Sequence, residues 1–231
     1  MRLIALIPTA VILFGSAPAL AQDWMPFVNP DDGFSAVYPG KPKIEAISYV
    51  TQLSMTLPGR VYSAEDAMGR YSTTVVDYRS INKLYEGARA RCQAASGATL
   101  KDGDLCDHIP RDDVAGAMEH AAWNLMKQEG VKTTYYGWYS NAGIAGRILQ
   151  QTLPDQSRTF TVIVQHAGRL YIHTAIAPAG KPQPILFLQT LEVVDEQGRK
   201  ISYGRRAYYV EGFSEEWRFP SPLPPHTLLE C

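Results

Sequence analysis

Beyond its first twenty residues this sequence has no long apolar run. Every later apolar stretch is broken by Arg, Gln, Asp or Pro, so none approaches the roughly 20 residues that a membrane-spanning helix needs. Net charge is also scarce. Lys and Arg number 22 against 23 Asp and Glu, a balance of −1. A chain this close to neutral has no bulk field to draw nucleic acid or an acidic membrane surface, and the short Arg205-Arg206 pair reads as solvated surface. Cysteine is limited to Cys92, Cys106 and Cys231, with no CxxC pair of the kind that binds zinc. No HExxH occurs. Gly33-Phe34-Ser35-Ala36-Val37 lacks the second glycine of a nucleophile elbow, and Gly143-Ile144-Ala145-Gly146 is not followed by the Lys-Ser/Thr of a phosphate loop. The carboxylates Asp102, Asp104, Asp107, Asp112 and Asp113 lack EF-hand spacing and its terminal Glu. They read as a solvated acidic loop and a helix start. The expectation is therefore no catalytic set, no metal and no cofactor.

What is present starts at the N-terminus. Met1-Arg2 supplies a short positive region, Leu3 to Gly15 an apolar stretch, and Ala19-Leu20-Ala21 a small-x-small cleavage pattern. Residues 1–21 read as a secretory signal peptide, which predicts a periplasmic or secreted protein. Cleavage leaves 210 residues with a balance of −2. That is enough chain to bury roughly 70% of its unfolded surface in one domain, taken here as residues 22–204. An oxidising compartment favours thiol pairing. Cys92 and Cys106 flank a Gly-, Asp- and Lys-rich stretch and are expected to form a disulfide, worth about 3 kcal/mol by loop closure. Cys231 is left over, either unpaired or bridging two chains.

Local patterns predict a meander followed by helices and hairpins. Phe34–Tyr38 alternates and stops at Pro39-Gly40. Tyr49–Leu57 alternates and stops at Pro58-Gly59, and Arg60–Glu65 and Arg70–Tyr78 flank a turn. Residues 81–95 have helical composition. Asp112-Asp113 opens a helix that runs to Gly130, with Val114, Met118, Ala121, Ala122 and Leu125 as its apolar stripe and Trp123 opposite. Strands over 131–139 and 145–152 follow. Thr159–His166 and Arg169–Ile176 then form a hairpin about Ala167-Gly168, which sets Ile163 against Ile172 and Gln165 against Leu170. Pro184 opens a helix to Leu191, and 193–203 form a small hairpin about Gln197-Gly198. From 205 the chain is an aromatic and then Pro-rich extension. Tyr208, Tyr209, Phe213, Trp217 and Phe219 are too dense for a disordered linker, so 205–219 are expected to pack back on the domain, with 220–231 an extended end.

Two stretches carry a family resemblance. One is Asp32-Gly33-Phe34-Ser35-Ala36-Val37-Tyr38-Pro39-Gly40-Lys41-Pro42. The other runs from Ile144-Ala145-Gly146-Arg147-Ile148 through Phe160-Thr161-Val162 to Gly168-Arg169-Leu170-Tyr171-Ile172 and on to Phe187-Leu188. Together they resemble bacterial exported proteins of the PsbP/Mog1-like superfamily, over about residues 30–195. The resemblance implies an α+β fold, a central antiparallel sheet flanked by helices in an α/β/α sandwich. It also implies an accessory, assembly or binding role, and brings no shared catalytic set. The Cys92–Cys106 segment and the aromatic tail depart from the pattern.

Aromatic residues are the most informative feature for function. Tyr135, Tyr136, Trp138 and Tyr139 crowd one strand. Aromatics at this density usually serve a core, but bulk on both faces of one strand leaves one face for a partner. Trp123, Tyr136, Trp138 and Tyr171 are the candidate ligand or partner surface, for an envelope protein or a small ligand. The competing enzyme reading, a hydrolase, joins His166 or His173 with Tyr171. The two histidines lie about 13 Å apart along the hairpin, too far to share one ion, and read as polar residues on a half-exposed face.

Overall fold

The computed structural model describes residues 24–96 and 110–203. The expected signal peptide 1–21, the expected Cys92–Cys106 disulfide (Cys106 and the side chain of Cys92), and the extension 205–231 with Cys231 lie outside the described residues.

The chain is α+β. Its frame is a seven-stranded antiparallel sheet ordered β3-β4-β5-β9-β8-β7-β6. The strands are β3 (Lys43–Val50), β4 (Thr56–Asp66), β5 (Gly69–Asp77), β6 (Lys132–Asn141), β7 (Ile144–Thr152), β8 (Arg158–His166) and β9 (Arg169–Ala177). One face carries α1 (Ile81–Ser96), α2 (Pro110–Ala115) and α3 (Ala117–Met126). They close an apolar cluster that includes Leu57, Tyr78, Ile81, Tyr85, Met118, Ile163 and Leu170. The other face carries the four-residue α4 (Ile185–Leu188) and a three-stranded sheet ordered β1-β2-β10. That sheet is made of β1 (Trp24–Asn29), β2 (Phe34–Pro39) and β10 (Glu192–Val193). Phe34, Tyr38, Tyr62, Tyr71, Tyr171 and Phe187 pack between these layers.

The hairpin expected over 159–176 forms in the expected register, with Ile163 opposite Ile172, Gln165 opposite Leu170 and His173 opposite Val162. Its turn residues Ala167 and Gly168 both have positive φ, 48° and 71°, as a two-residue turn between twisted strands requires. β8 is buried on both faces because helices cover one side and the small sheet the other.

Four expectations need correction. Tyr49–Leu57 is not one strand, because the chain reverses inside it. The Thr51 N–H donates to the Met55 carbonyl at 2.8 Å, and the Met55 N–H donates to Thr51 Oγ1 at 3.1 Å, with Ser54 at φ 65°. No Gly or Pro marks this turn. Pro58-Gly59, read as a terminator, lies inside β4, where a Cβ on Gly59 would sit 2.9 Å from the Val75 carbonyl oxygen. The helix expected from Asp112 to Gly130 is two helices, with the Gln52 side chain donating to the Asp112 carbonyl at 2.6 Å beside the break. Asp113, read as solvated, is fully buried and accepts hydrogen bonds from Thr51 and Tyr85. The small hairpin about Gln197-Gly198 is present as the bridge between Val194 and Lys200.

Candidate functional site

Among the described residues β6 forms an edge of the large sheet, where Tyr136 reaches Glu119 on the flank of α3, and both sequences explain why. Ala117, Met118, Ala121 and Ala122 are buried and bring α3 close to the sheet, because small side chains permit close approach. Glu119 and Trp123 sit four residues apart and therefore share the opposite side of the helix. Along β6, Tyr136 and Trp138 point to the helix side, where their neighbours across the ladder are Leu149 and Arg147. Among the described residues only β7 pairs with β6 in the sheet, so none of them adds a strand to its outer side. A register shift between Thr133 and Tyr135 twists the start of the strand, a common feature of sheet edges.

Charge organises the cluster. Arg147 donates to Glu119 across 2.5 Å and lies 4.0 Å from the centroid of the Trp138 ring. It also donates to the Gly146 carbonyl at 3.1 Å. The Tyr136 hydroxyl donates to the second Glu119 oxygen. Burial, and then this bond to Glu119, raise the Tyr136 pKa above its ordinary value. With Glu119 half-exposed the ion pair itself contributes little stability. Its effect is geometric, because it fixes a guanidinium beneath an indole. A cation–π contact of this kind is worth about 0.5–1 kcal/mol at an exposed site. Trp138 is 76% exposed and Trp123 60% exposed, so the structure leaves two indoles in solvent around a fixed Arg–Glu pair.

Three of the four expected surface residues, Trp123, Tyr136 and Trp138, fall in this region. Tyr171 does not join them. It is fully buried on the opposite face of the sheet, and its hydroxyl donates to the carbonyls of Asp32 and Gly33 at 3.1 Å each. Strand periodicity placed Tyr171 on a face but carried no sign that the β1–β2 turn would cover that face. Arg147 and Glu119 were missed as members of the site. The signal available was the pairing of Arg147 with Trp138 across a hairpin.

The histidines are also inside, which corrects the half-exposed reading. His173 is fully buried and stacks on Phe187 at 4.0 Å. Its Nε2 faces the Phe187 carbonyl at 2.9 Å, an acceptor only, so that nitrogen carries the proton. Nδ1 then accepts from the Thr73 hydroxyl at 2.8 Å, and Thr73 in turn accepts from Tyr38. Burial pushes the His173 pKa down to about 4. His166 bonds to the Tyr203 hydroxyl at 2.8 Å, and burial followed by the Arg169 charge pushes its pKa down to about 4. Both imidazoles and the Tyr171 hydroxyl are buried and hydrogen-bonded within the protein, so the His–Tyr hydrolase reading has no exposed member.

A polar cleft of about 740 Å³ lies between the β1–β2 turn and β3–β5. Its arginines are engaged within the protein: Arg60 with Asp32 at 2.5 Å, Arg79 with Asp77 at 2.7 Å, and Arg169 with the Asp31 carbonyl at 2.9 Å. Among the described residues, no group of three or more His, Cys, Asp or Glu is placed to hold a metal, and no helix is long and apolar enough to cross a membrane.

No protein-family model matches the chain, and no curated protein matches it. Among solved structures it is similar to the solution structure of cyanobacterial PsbP (CyanoP) from Synechocystis sp. PCC 6803. The match has 10% identity and a TM-score of 0.41, over 78% of this chain and 98% of that one. The role of this chain therefore rests on its own residues.

Proposed function

We propose that this chain is an exported, non-catalytic accessory or binding protein of the cell envelope that receives a protein partner on the β6–α3 edge. The observation that carries the reading is the arrangement of Trp138 and Trp123 around the Arg147–Glu119 pair, on a strand that stands at the sheet edge among the described residues. Trp, Tyr and Arg are the residues that dominate the energetics of protein interfaces, and here all three types are held in place before any partner arrives. An edge strand also offers backbone N–H and C=O groups for strand addition. The signal-peptide pattern of residues 1–21 supports export.

The test is affinity capture from an envelope extract with wild type, Trp138→Ala and Val50→Ala. Val50 is an exposed apolar residue on β3, at the far edge of the sheet. The expected outcome is one protein recovered by wild type and Val50→Ala and lost with Trp138→Ala. Equal recovery by all three baits, or no specific recovery by any, contradicts the reading.

A further inference from the structure

A second apolar surface lies on the opposite face of the sheet. Trp24, Tyr71, Pro184, Ile185, Leu186 and Phe187 line a groove of about 700 Å³. Its floor is aromatic: the Trp24 and Tyr71 rings meet edge-on at 4.8 Å, and Tyr71 and Phe187 are 5.0 Å apart. Its wall is open to solvent, with Leu186 79% exposed and Ile185 49% exposed. Apolar side chains grouped at such exposure mark a surface that something covers.

The path of the chain says what. The described residues end at Tyr203, which is tied down on this same face. Its N–H donates to the Ala142 carbonyl at 2.7 Å, and its hydroxyl bonds His166. A further 28 residues follow. The span to the groove can be read from the sheet. Tyr71 lies level with Ala175 on β9, and Ala175 with Phe160 on β8. Phe160 is six residues from His166 along β8, roughly 20 Å at 3.3 Å per residue. Two strand spacings sideways add roughly 10 Å, so the direct distance is on the order of 22 Å. About seven extended residues cover that. Counting seven from Tyr203 reaches residue 210, and the next aromatics are Phe213 and Trp217. Tyr209, Phe213 and Trp217 recur every four residues, the spacing that lines up one face of a helix and suits insertion into a groove.

We infer that the groove formed by Trp24, Tyr71 and α4 is the docking site for the chain's own segment 205–219, with Phe213 and Trp217 as its anchors. The intramolecular tether raises the effective concentration of the segment to the millimolar range, so modest contacts suffice. With the groove filled from within, the β6–α3 edge is the aromatic surface left for a partner. The inference does not depend on that partner.

The experiment places a photocrosslinker in the full-length protein as Leu186→p-benzoylphenylalanine, followed by irradiation, trypsin digestion and mass spectrometry. The main product expected is an intramolecular link to the tryptic peptide 207–218, with a yield independent of protein concentration. Adding Phe213→Asp and Trp217→Asp together should lower that yield at least fivefold while the fold, read by circular dichroism, is unchanged. A link to residues before Trp24, a link between two chains, a yield indifferent to the double substitution, or no link at all overturns the inference.

Discussion

Arg147 lies beneath Trp138, 4.0 Å from the centre of the indole ring. Because Glu119 on α3 grips the same guanidinium at 2.5 Å, the arginine links the edge strand to the helix. The link holds an aromatic side chain in a fixed pose that the protein's own core does not need.

It follows that stability and binding separate at Trp138. The ring is 76% exposed, so Trp138→Ala should lower unfolding free energy by no more than about 1 kcal/mol, the scale of one exposed cation–π contact. Partner recovery should drop more than tenfold. Urea unfolding followed by tryptophan fluorescence, run beside quantitative capture, checks both numbers. A variant that loses several kcal/mol would show that Trp138 belongs to the core after all.

Thr73→Val should be costly out of proportion to its size. Thr73 is fully buried between Tyr38 and His173 and hydrogen-bonds to each. The valine leaves the Tyr38 hydroxyl without its acceptor and His173 Nδ1 without its donor. Each buried orphan costs about 1–3 kcal/mol, so a loss of about 2–4 kcal/mol is expected in denaturant titration. A loss below about 0.5 kcal/mol would mean that this relay is not formed.

Stability should fall as pH drops from 6.5 toward 4. Burial holds His173 neutral in the folded chain down to about pH 4, and His166 behaves alike, whereas an unfolded histidine takes up its proton near 6.5. Between those values the unfolded state binds more protons, so stability is complete above the window and declines through it. The His173 shift alone amounts to a loss of roughly 3 kcal/mol below about pH 4 relative to neutral pH. Urea midpoints at pH 7.5, 6.0 and 5.0 test this, with His173→Asn expected to flatten the profile. The depressed carboxylates Asp77, Asp155 and Asp195 begin to lose their contribution only near the usual acid range, below most of this window. A flat wild-type profile from pH 6.5 to 5 would contradict neutral buried imidazoles.

Asp113→Ala should loosen the helical layer. The carboxylate is fully buried and receives the hydroxyls of Thr51, in the β3–β4 turn, and Tyr85, on α1. Without it two donors lose their acceptor, for an expected cost of about 2–4 kcal/mol. Amide exchange should speed up in α2, α3 and the 51–55 turn ahead of the central strands. Uniform change across the sheet would argue against a local latch.

Much of the frame was legible because alternation and turn chemistry agree. The 159–176 hairpin pairs as its Ala167-Gly168 turn and apolar period dictate. The reading failed where tertiary contacts decide. The turn at 51–55 relies on a threonine side chain and a left-handed serine, with none of the Gly or Pro that advertises a turn. β1 alternates little and carries Pro26, yet forms because β2 offers it a ladder from Trp24 to Asn29. In the candidate site, aromatic density pointed to Trp138 and Tyr136. Tyr171 has the same local signature and is covered by the Asp32–Gly33 turn, more than 130 positions away in sequence. No local pattern reports coverage from that distance.

The most direct measurement is amide hydrogen exchange of the protein alone and with its captured partner. Slowed exchange along Lys132–Asn141 of β6 and in α3, with β3 and the α4 groove unchanged, is the expected result. Protection confined to β3 or to the groove, with β6 exchanging as in the free protein, would contradict binding at this edge.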